Sequence, residues 1–221
     1  MYMRGRLLAV LVVAVACADD TVTDPPAGDR ELVSLVNGFG ANIEMLVDGS
    51  VRAPNVAVGD ITPIEIDVGA RTLAVREAGS SATSSLNLQL VAGSPVALAA
   101  LRGAGGSLSL KALEDSNAVV PAGATKLRVL HLAARSGEVQ VWRTQPDYQI
   151  PIRWAFPFTY NSVNTYYQST PGTWEVRVWT DSSSSWTSAQ NSARVTLSGG
   201  GKKTVAILDR PGGGVRLQVI D

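Results

Sequence analysis

Apolar and polar residues alternate with a period of two through most of the chain, and this predicts β-strands. Ile43, Met45 and Val47 alternate with Glu44, Leu46 and Asp48. Leu73 and Val75 alternate with Thr72, Ala74 and Arg76, and Leu86, Leu88 and Leu90 with Asn87 and Gln89. The theme returns past the middle of the chain. Val139 and Val141 flank Gln140 and precede Trp142, and Trp174, Val176 and Val178 interleave with Glu175, Arg177 and Trp179. Each pattern is that of a strand with one buried face. Helical periodicity is absent from this part of the chain.

The two halves also match each other. Leu90 to Glu114 aligns without a gap on Leu197 to Asp221, placing Leu98 on Val205, Leu101 on Leu208 and Gly105-Gly106 on Gly212-Gly213. Upstream, Gly69 to Arg76 aligns on Gly172 to Trp179, and Leu32 to Val47 resembles the stretch from Leu127 to about Arg143. The expectation is an all-β chain of two tandem Ig-like antiparallel β-sandwich modules, residues 31–115 and 126–221. Each would hold about seven strands in roughly 90 residues. Residues 116–125, with Asn117, Pro121 and Gly123, would connect them. The Gly-rich runs Gly103 to Gly106 and Gly212 to Gly214 suit tight turns. A phosphate-cradling loop needs a following helix, and none is expected.

The first residues have a different character. Arg4 and Arg6 precede an apolar run from Leu7 to Ala16, too short for a bilayer span, since ten helical residues rise about 15 Å. Residues 1–16 therefore read as a signal peptide. The run ends Ala14-Val15-Ala16-Cys17, which resembles the lipobox of bacterial lipoproteins, with Ala14 where Leu is commoner. That resemblance implies lipidation of Cys17, the only cysteine, and anchoring of the mature chain to a membrane. A secretory cleavage without lipid, giving a secreted protein, is the alternative. Ala18 in place of Asp favours the outer membrane by the sorting rule of such lipoproteins. Residues 17–30, with Pro25 and Pro26, read as lipidated cysteine and flexible tether.

Composition narrows the function classes. The chain has 19 basic and 19 acidic residues, and loss of Arg4 and Arg6 leaves a slightly acidic mature protein. That balance argues against nucleic-acid partners and against an electrostatic membrane patch. One cysteine allows no internal disulfide, so the fold must rest on hydrophobic cores.

The run Leu127 to Val141 carries a family likeness. It has His131 in an apolar strand, a short loop, and then Val139-Gln140-Val141; in the first half Asn37 stands at the histidine position and Asp48-Gly49 supplies a turn. Glycine precedes the Leu73 and Trp174 strands. These features resemble DUF4397 domains, and the likeness spans about residues 31–221. The family's Ala-Ser-Pro-Asp loop is absent from both modules. The resemblance implies tandem β-domains in a secreted or envelope protein and carries over no activity.

Little chemistry is signalled. His131 is the only histidine and lies within a strand pattern, where a hydrogen bond to a neighbouring loop explains it better than a role as catalytic base. The acids are scattered, Asp48, Asp60, Asp181 and Asp209 suit turns, and Ser182 to Ser185 suits a solvated hairpin loop. No metal, cofactor or catalytic residue is expected, and the protein is expected not to be an enzyme. Aromatics are the exception. Of 5 Trp, 5 Tyr and 3 Phe, only Tyr2 and Phe39 precede the second module. Trp174 shares parity with Val176 and Val178, whereas Trp142 and Trp179 fall on the opposite face. Trp142, Trp154, Phe156, Phe158 and Trp179 are therefore candidates for a surface that binds a glycan or a protein partner. The competing expectation is that the long stretch from Tyr148 to Tyr167 folds over that face and buries it.

Overall fold

The computed structural model of the protein describes residues 28–113, 120–144, 152–162, 166–180 and 191–220. Among them the only helical piece is a single 3-10 turn, Ala104–Gly106; strands make up the body. The first eight strands are β1 (Arg30–Gly38), β2 (Ile43–Val47), β3 (Ser50–Val56), β4 (Ile61–Asp67), β5 (Gly69–Glu77), β6 (Thr83–Leu90), β7 (Val96–Arg102) and β8 (Leu108–Ala112). They form two four-stranded sheets, ordered β4-β1-β7-β8 and β3-β2-β5-β6. The second eight are β9 (Thr125–His131), β10 (Val139–Thr144), β11 (Ile152–Phe158), β12 (Tyr167–Ser169), β13 (Gly172–Trp179), β14 (Asn191–Leu197), β15 (Lys202–Asp209) and β16 (Val215–Ile220). Their sheets run β12-β9-β15-β16 and β11-β10-β13-β14, the same order with every number raised by eight. The fold is thus all-β and the repeat extends to strand order. The long stretch after Tyr148 contributes β11, the counterpart of β3, and both strands have seven residues.

Each set of sheets closes over its own core. Val33, Leu35, Leu98 and Ala100 from one sheet meet Ile43, Met45, Leu73 and Val75 from the other. Leu127, Val129, Val205 and Ile207 likewise meet Val139, Val141, Val176 and Val178. The alternating residues point inward and the two faces interdigitate, as in a sandwich.

The sheets are antiparallel except at their centres. β1 pairs parallel with β7, and β9 pairs parallel with β15. These four strands depart from clean alternation. They read Val33-Ser34-Leu35-Val36, Val96 to Leu101, Leu127 to Leu132 and Val205 to Leu208, nearly continuous apolar runs. A strand buried on both faces has that composition. The second buried face is a seam between the two sandwiches. Val36, Ala99 and Leu101 of the first pack on Leu130, Leu132, Ala206 and Leu208 of the second, and all are buried. The result is four stacked sheets.

The seam is closely fitted. Small residues, Gly38, Ala97 and Ala99, face the leucines. A Cβ added at Gly38 would lie 2.7 Å from the Leu132 carbonyl oxygen and 3.0 Å from the Leu132 Cβ. Polar contacts rim it. The Tyr160 hydroxyl donates to the Gly38 carbonyl at 2.9 Å and accepts from the Arg102 N–H. Arg135 donates to the Gly40 carbonyl at 2.7 Å, and Arg216 reaches the Gly59 carbonyl and the Asp60 carboxylate. Replacing Gly38 with valine should therefore force the sandwiches apart and lower stability by about 1–3 kcal/mol, the usual cost of overpacking. A thermal melt checks this, and an unchanged midpoint would contradict the close fit.

Candidate functional site

The five aromatic candidates do not share one surface. Trp179 is only 2% exposed and Phe158 only 4%, so neither ring is offered to a ligand. Phe158 belongs to the second sandwich core and lies against His131, ring centroids 6.0 Å apart. Trp142 is half-buried and meets Trp179 edge-on at 5.8 Å. Parity correctly separates this pair from Val176 and Val178. The face it assigns them to is itself buried, with Gln140, Thr144 and Glu175 buried there too. Trp154 is half-buried against the core. The Phe156 side chain, Cys17, Tyr148, Asp181, Ser182 to Ser185 and Trp186 lie outside the described residues.

What the aromatics do build is a cage around Arg143. Its guanidinium carbon lies 3.9 Å from the ring centre of Tyr167, 5.4 Å from that of Trp174 and 5.9 Å from that of Trp154. Trp154 and Tyr167 meet edge-on at 6.1 Å. A guanidinium over aromatic faces is attracted by their quadrupoles, more so when desolvated, and Arg143 is only 7% exposed. It also donates to the Ser169 hydroxyl at 2.9 Å, while the Trp174 indole N–H donates to the Thr170 carbonyl at 3.0 Å.

Strand parity explains this cluster. Arg143 continues the inward series Val139, Val141, and Trp174 that of Val176 and Val178. Tyr167 sits opposite Leu127, whose side chain enters the same core. All three fall at one open end of the second sandwich, where the apolar core runs out. The cage borders a cleft of about 450 Å³, lined also by Pro121 to Ala124 and by Gln168 to Thr170. Tyr167 stays 45% exposed beside it. A charged residue at inward parity was the signal for this site in the sequence, and attention to outward parity passes over it.

The family model described as "Domain of unknown function (DUF4397)" matches residues 31–142, about half of the chain. The chain belongs to the DUF4397 family. The match runs from Glu31 in β1 through β8 and β9 into β10, so it includes nearly all of the first sandwich and the strand that carries Leu130 of the seam. No curated protein matches the sequence. A solved leucine-rich repeat protein from Bacteroides thetaiotaomicron VPI-5482 is similar at 11% identity over 80% of this chain, with a TM-score of 0.24, which carries no argument. This chain spans about a quarter of that protein, 26%.

In this DUF4397 protein the His131 and Asn37 positions do equivalent work. Each ends a central strand and ties down the loop that follows. The Asn37 amide oxygen accepts the Phe39 N–H at 3.0 Å, and its nitrogen donates to the Ala41 and Val56 carbonyls at 2.9 and 2.8 Å. His131 Nδ1 accepts the Ala133 N–H at 3.3 Å, and Nε2 lies 2.9 Å from the Gly137 carbonyl. Those partners assign the neutral tautomer with its proton on Nε2. Burial holds the imidazole below its ordinary value of 6.5, against the opposing pull of the Gly137 carbonyl and the Asp209 charge. Asp209 is pushed the other way, its carboxyl raised by burial despite two bonds from the Arg135 N–H.

The unfolded chain takes up the His131 imidazole proton before the folded one does, so this contribution to stability is complete above pH 6.5 and is lost as pH falls through the folded value. Asp209 opposes it, since a raised carboxyl favours the folded state at low pH and loses that contribution as pH rises. His131→Ala should cost about 1–3 kcal/mol at pH 8, by leaving two backbone groups unpaired. His131→Asn should cost less and should flatten the decline in stability below pH 6.5. Denaturant titrations at several pH values check both; an unchanged pH slope in His131→Asn would contradict the assignment.

Proposed function

We propose that this protein is a membrane-anchored envelope lipoprotein with a non-enzymatic binding or scaffolding role. The observation that carries the reading is the apolar run from Leu7 to Ala16 ending at Cys17, set ahead of a proline-containing tether and a folded body. A lipid at Cys17 would hold the chain at a surface, in the outer membrane given Ala18. The seam supports the scaffolding part. Two sandwiches joined through a shared apolar layer move together, so a surface on the second is held at a defined distance from the first. The lone histidine is engaged in holding a loop. Among the described residues no group of three His, Cys, Asp or Glu side chains comes together. Metabolic labelling with a palmitate analogue tests the anchor. The native chain should take up label and sediment with membranes, and Cys17→Ser should do neither; equal labelling of the variant would sink the proposal.

A second reading, a carbohydrate-binding or adhesin-like role for the second module, is favoured by the Arg143 cleft. An exposed tyrosine beside a tryptophan, with serine, threonine and glutamine at the rim, suits a sugar ring that offers both an apolar face and hydroxyls. The candidate platform then sits at the sandwich end rather than on the face of Trp142 and Trp179. Titration with acidic and neutral oligosaccharides tests this. Binding should fall about tenfold in Tyr167→Ala and be kept in Tyr167→Phe, the loss of one well-placed ring being worth about 1.4 kcal/mol. No binding to any of the sugars would end this reading.

A further inference from the structure

Arg143 occupies a place that the first sandwich fills with an aliphatic side chain. β10 pairs Arg143 with Val176, and β2 pairs Val47 with Leu73. Leu73 and Val176 are equivalent in the repeat, so Val47 is the counterpart of Arg143. Val47 is buried in the first core. The second sandwich has the same strand order and buries a guanidinium there instead. A buried charge is costly unless it is paired, and among the described residues Arg143 enters no ion pair. No Asp or Glu is among the described residues that line its cleft. A valine suffices for the fold at this position, so the stability of the sandwich does not account for the arginine. Its place on the wall of a cleft points to a ligand instead.

We propose that the Arg143 cleft recognises an acidic sugar, a uronic acid within a glycan, with the sugar carboxylate on Arg143. This rests on the carbohydrate reading of the same cleft and names the class of sugar. The rings of Tyr167, Trp174 and Trp154 present their faces to the guanidinium carbon. A guanidinium hydrogen-bonds through the N–H groups at its rim, so ring contacts at its centre leave the rim to an acceptor. The Ser169 hydroxyl takes one of those donors at 2.9 Å and ties the group to β12. In such desolvated surroundings a carboxylate is held more strongly than it would be in water. Tyr167, 45% exposed, gives the C–H face of the pyranose a platform, and Gln168 and Thr170 supply partners for its hydroxyls. The cleft's volume of about 450 Å³ lies in the usual range for a small-molecule site. The chain has no net charge, so a polyanion is not gathered over its whole surface and recognition is local to the cleft.

Isothermal titration of the full chain with trigalacturonate, its methyl ester and acetate tests the proposal. The acid should bind at least about tenfold more tightly than the ester, which keeps the sugar rings and loses the charge, and than acetate, which keeps the charge and loses the rings. Arg143→Gln, checked for folding by its thermal melt, should bring the acid down to the affinity of the ester and leave the ester unchanged. Equal binding of acid and ester would overturn the acidic class and leave the carbohydrate reading standing. Binding of neither would end both. Acetate binding as tightly as the trimer would overturn the proposal in favour of a plain anion site. So would a folded Arg143→Gln variant that still prefers the acid; if that variant does not fold, the acid-to-ester comparison on the native chain decides.

Discussion

The packing of β1 and β7 against β9 and β15 is the constraint on which the rest of this molecule depends. A central strand buried on both faces cannot alternate apolar with polar, and it must satisfy its backbone within the sheet. The parallel pairing of first and seventh strands in each sandwich meets both needs, since each central strand has a neighbour on either side. Joining two such sheets through their outer faces buries Val36, Leu101, Leu130, Leu132 and Leu208, each worth about 1.5–3 kcal/mol when removed from water. Neither sandwich could leave that face exposed without presenting a continuous apolar patch. The two modules are therefore coupled in folding as well as in sequence. The family match runs from the first sandwich past the repeat boundary into β10 and stops short of β15, which gives the seam Ala206 and Leu208.

Much of the architecture was legible in the residues. Alternation located the outer strands β2, β5, β10 and β13, because each has one face in a core and one away from it. The internal repeat foreshadowed the identical sheet orders. The partner of each central strand's second face was harder to read. The runs Val96 to Leu101 and Val205 to Leu208 announce burial on two sides, but periodicity cannot say what covers the second side. Packing of one module on another is a tertiary fact, visible in the shared buried layer and in the clash that a side chain at Gly38 would make. The His131 and Asn37 positions were legible because two different side chains with the same hydrogen-bonding capacity sit at the same place in the repeat.

The aromatic residues show where parity alone falls short. It tells which of two faces a side chain takes and nothing about whether that face meets solvent. Trp179 takes the outward face and is still buried, so it cannot serve as a platform. Arg143 takes the inward face and lies at the end of the sandwich, where inward no longer means surrounded by aliphatic side chains. A guanidinium is tolerated there because three aromatic rings and the Ser169 hydroxyl replace the water it gives up.

Two adjacent tyrosines link the Arg143 cleft of the second sandwich to the seam. Tyr167 opens β12 and Tyr166 comes just before it, and consecutive residues of an extended chain point to opposite faces. Tyr167 turns into the sandwich end and stacks on Arg143, while Tyr166 lies at the seam and stacks on Arg128. The corresponding strand of the first sandwich, β4, reads Ile61 to Asp67 and has no aromatic residue. With no such pair of rings in β4, the first sandwich has no counterpart there to either arginine–tyrosine stack. The same strand order thus gives two modules that differ in their arginine–tyrosine stacks, and the difference traces to one dipeptide at an edge strand. Edge strands tolerate such differences, because only one of their sides is committed to the ladder and their side chains reach the rim of the sheet.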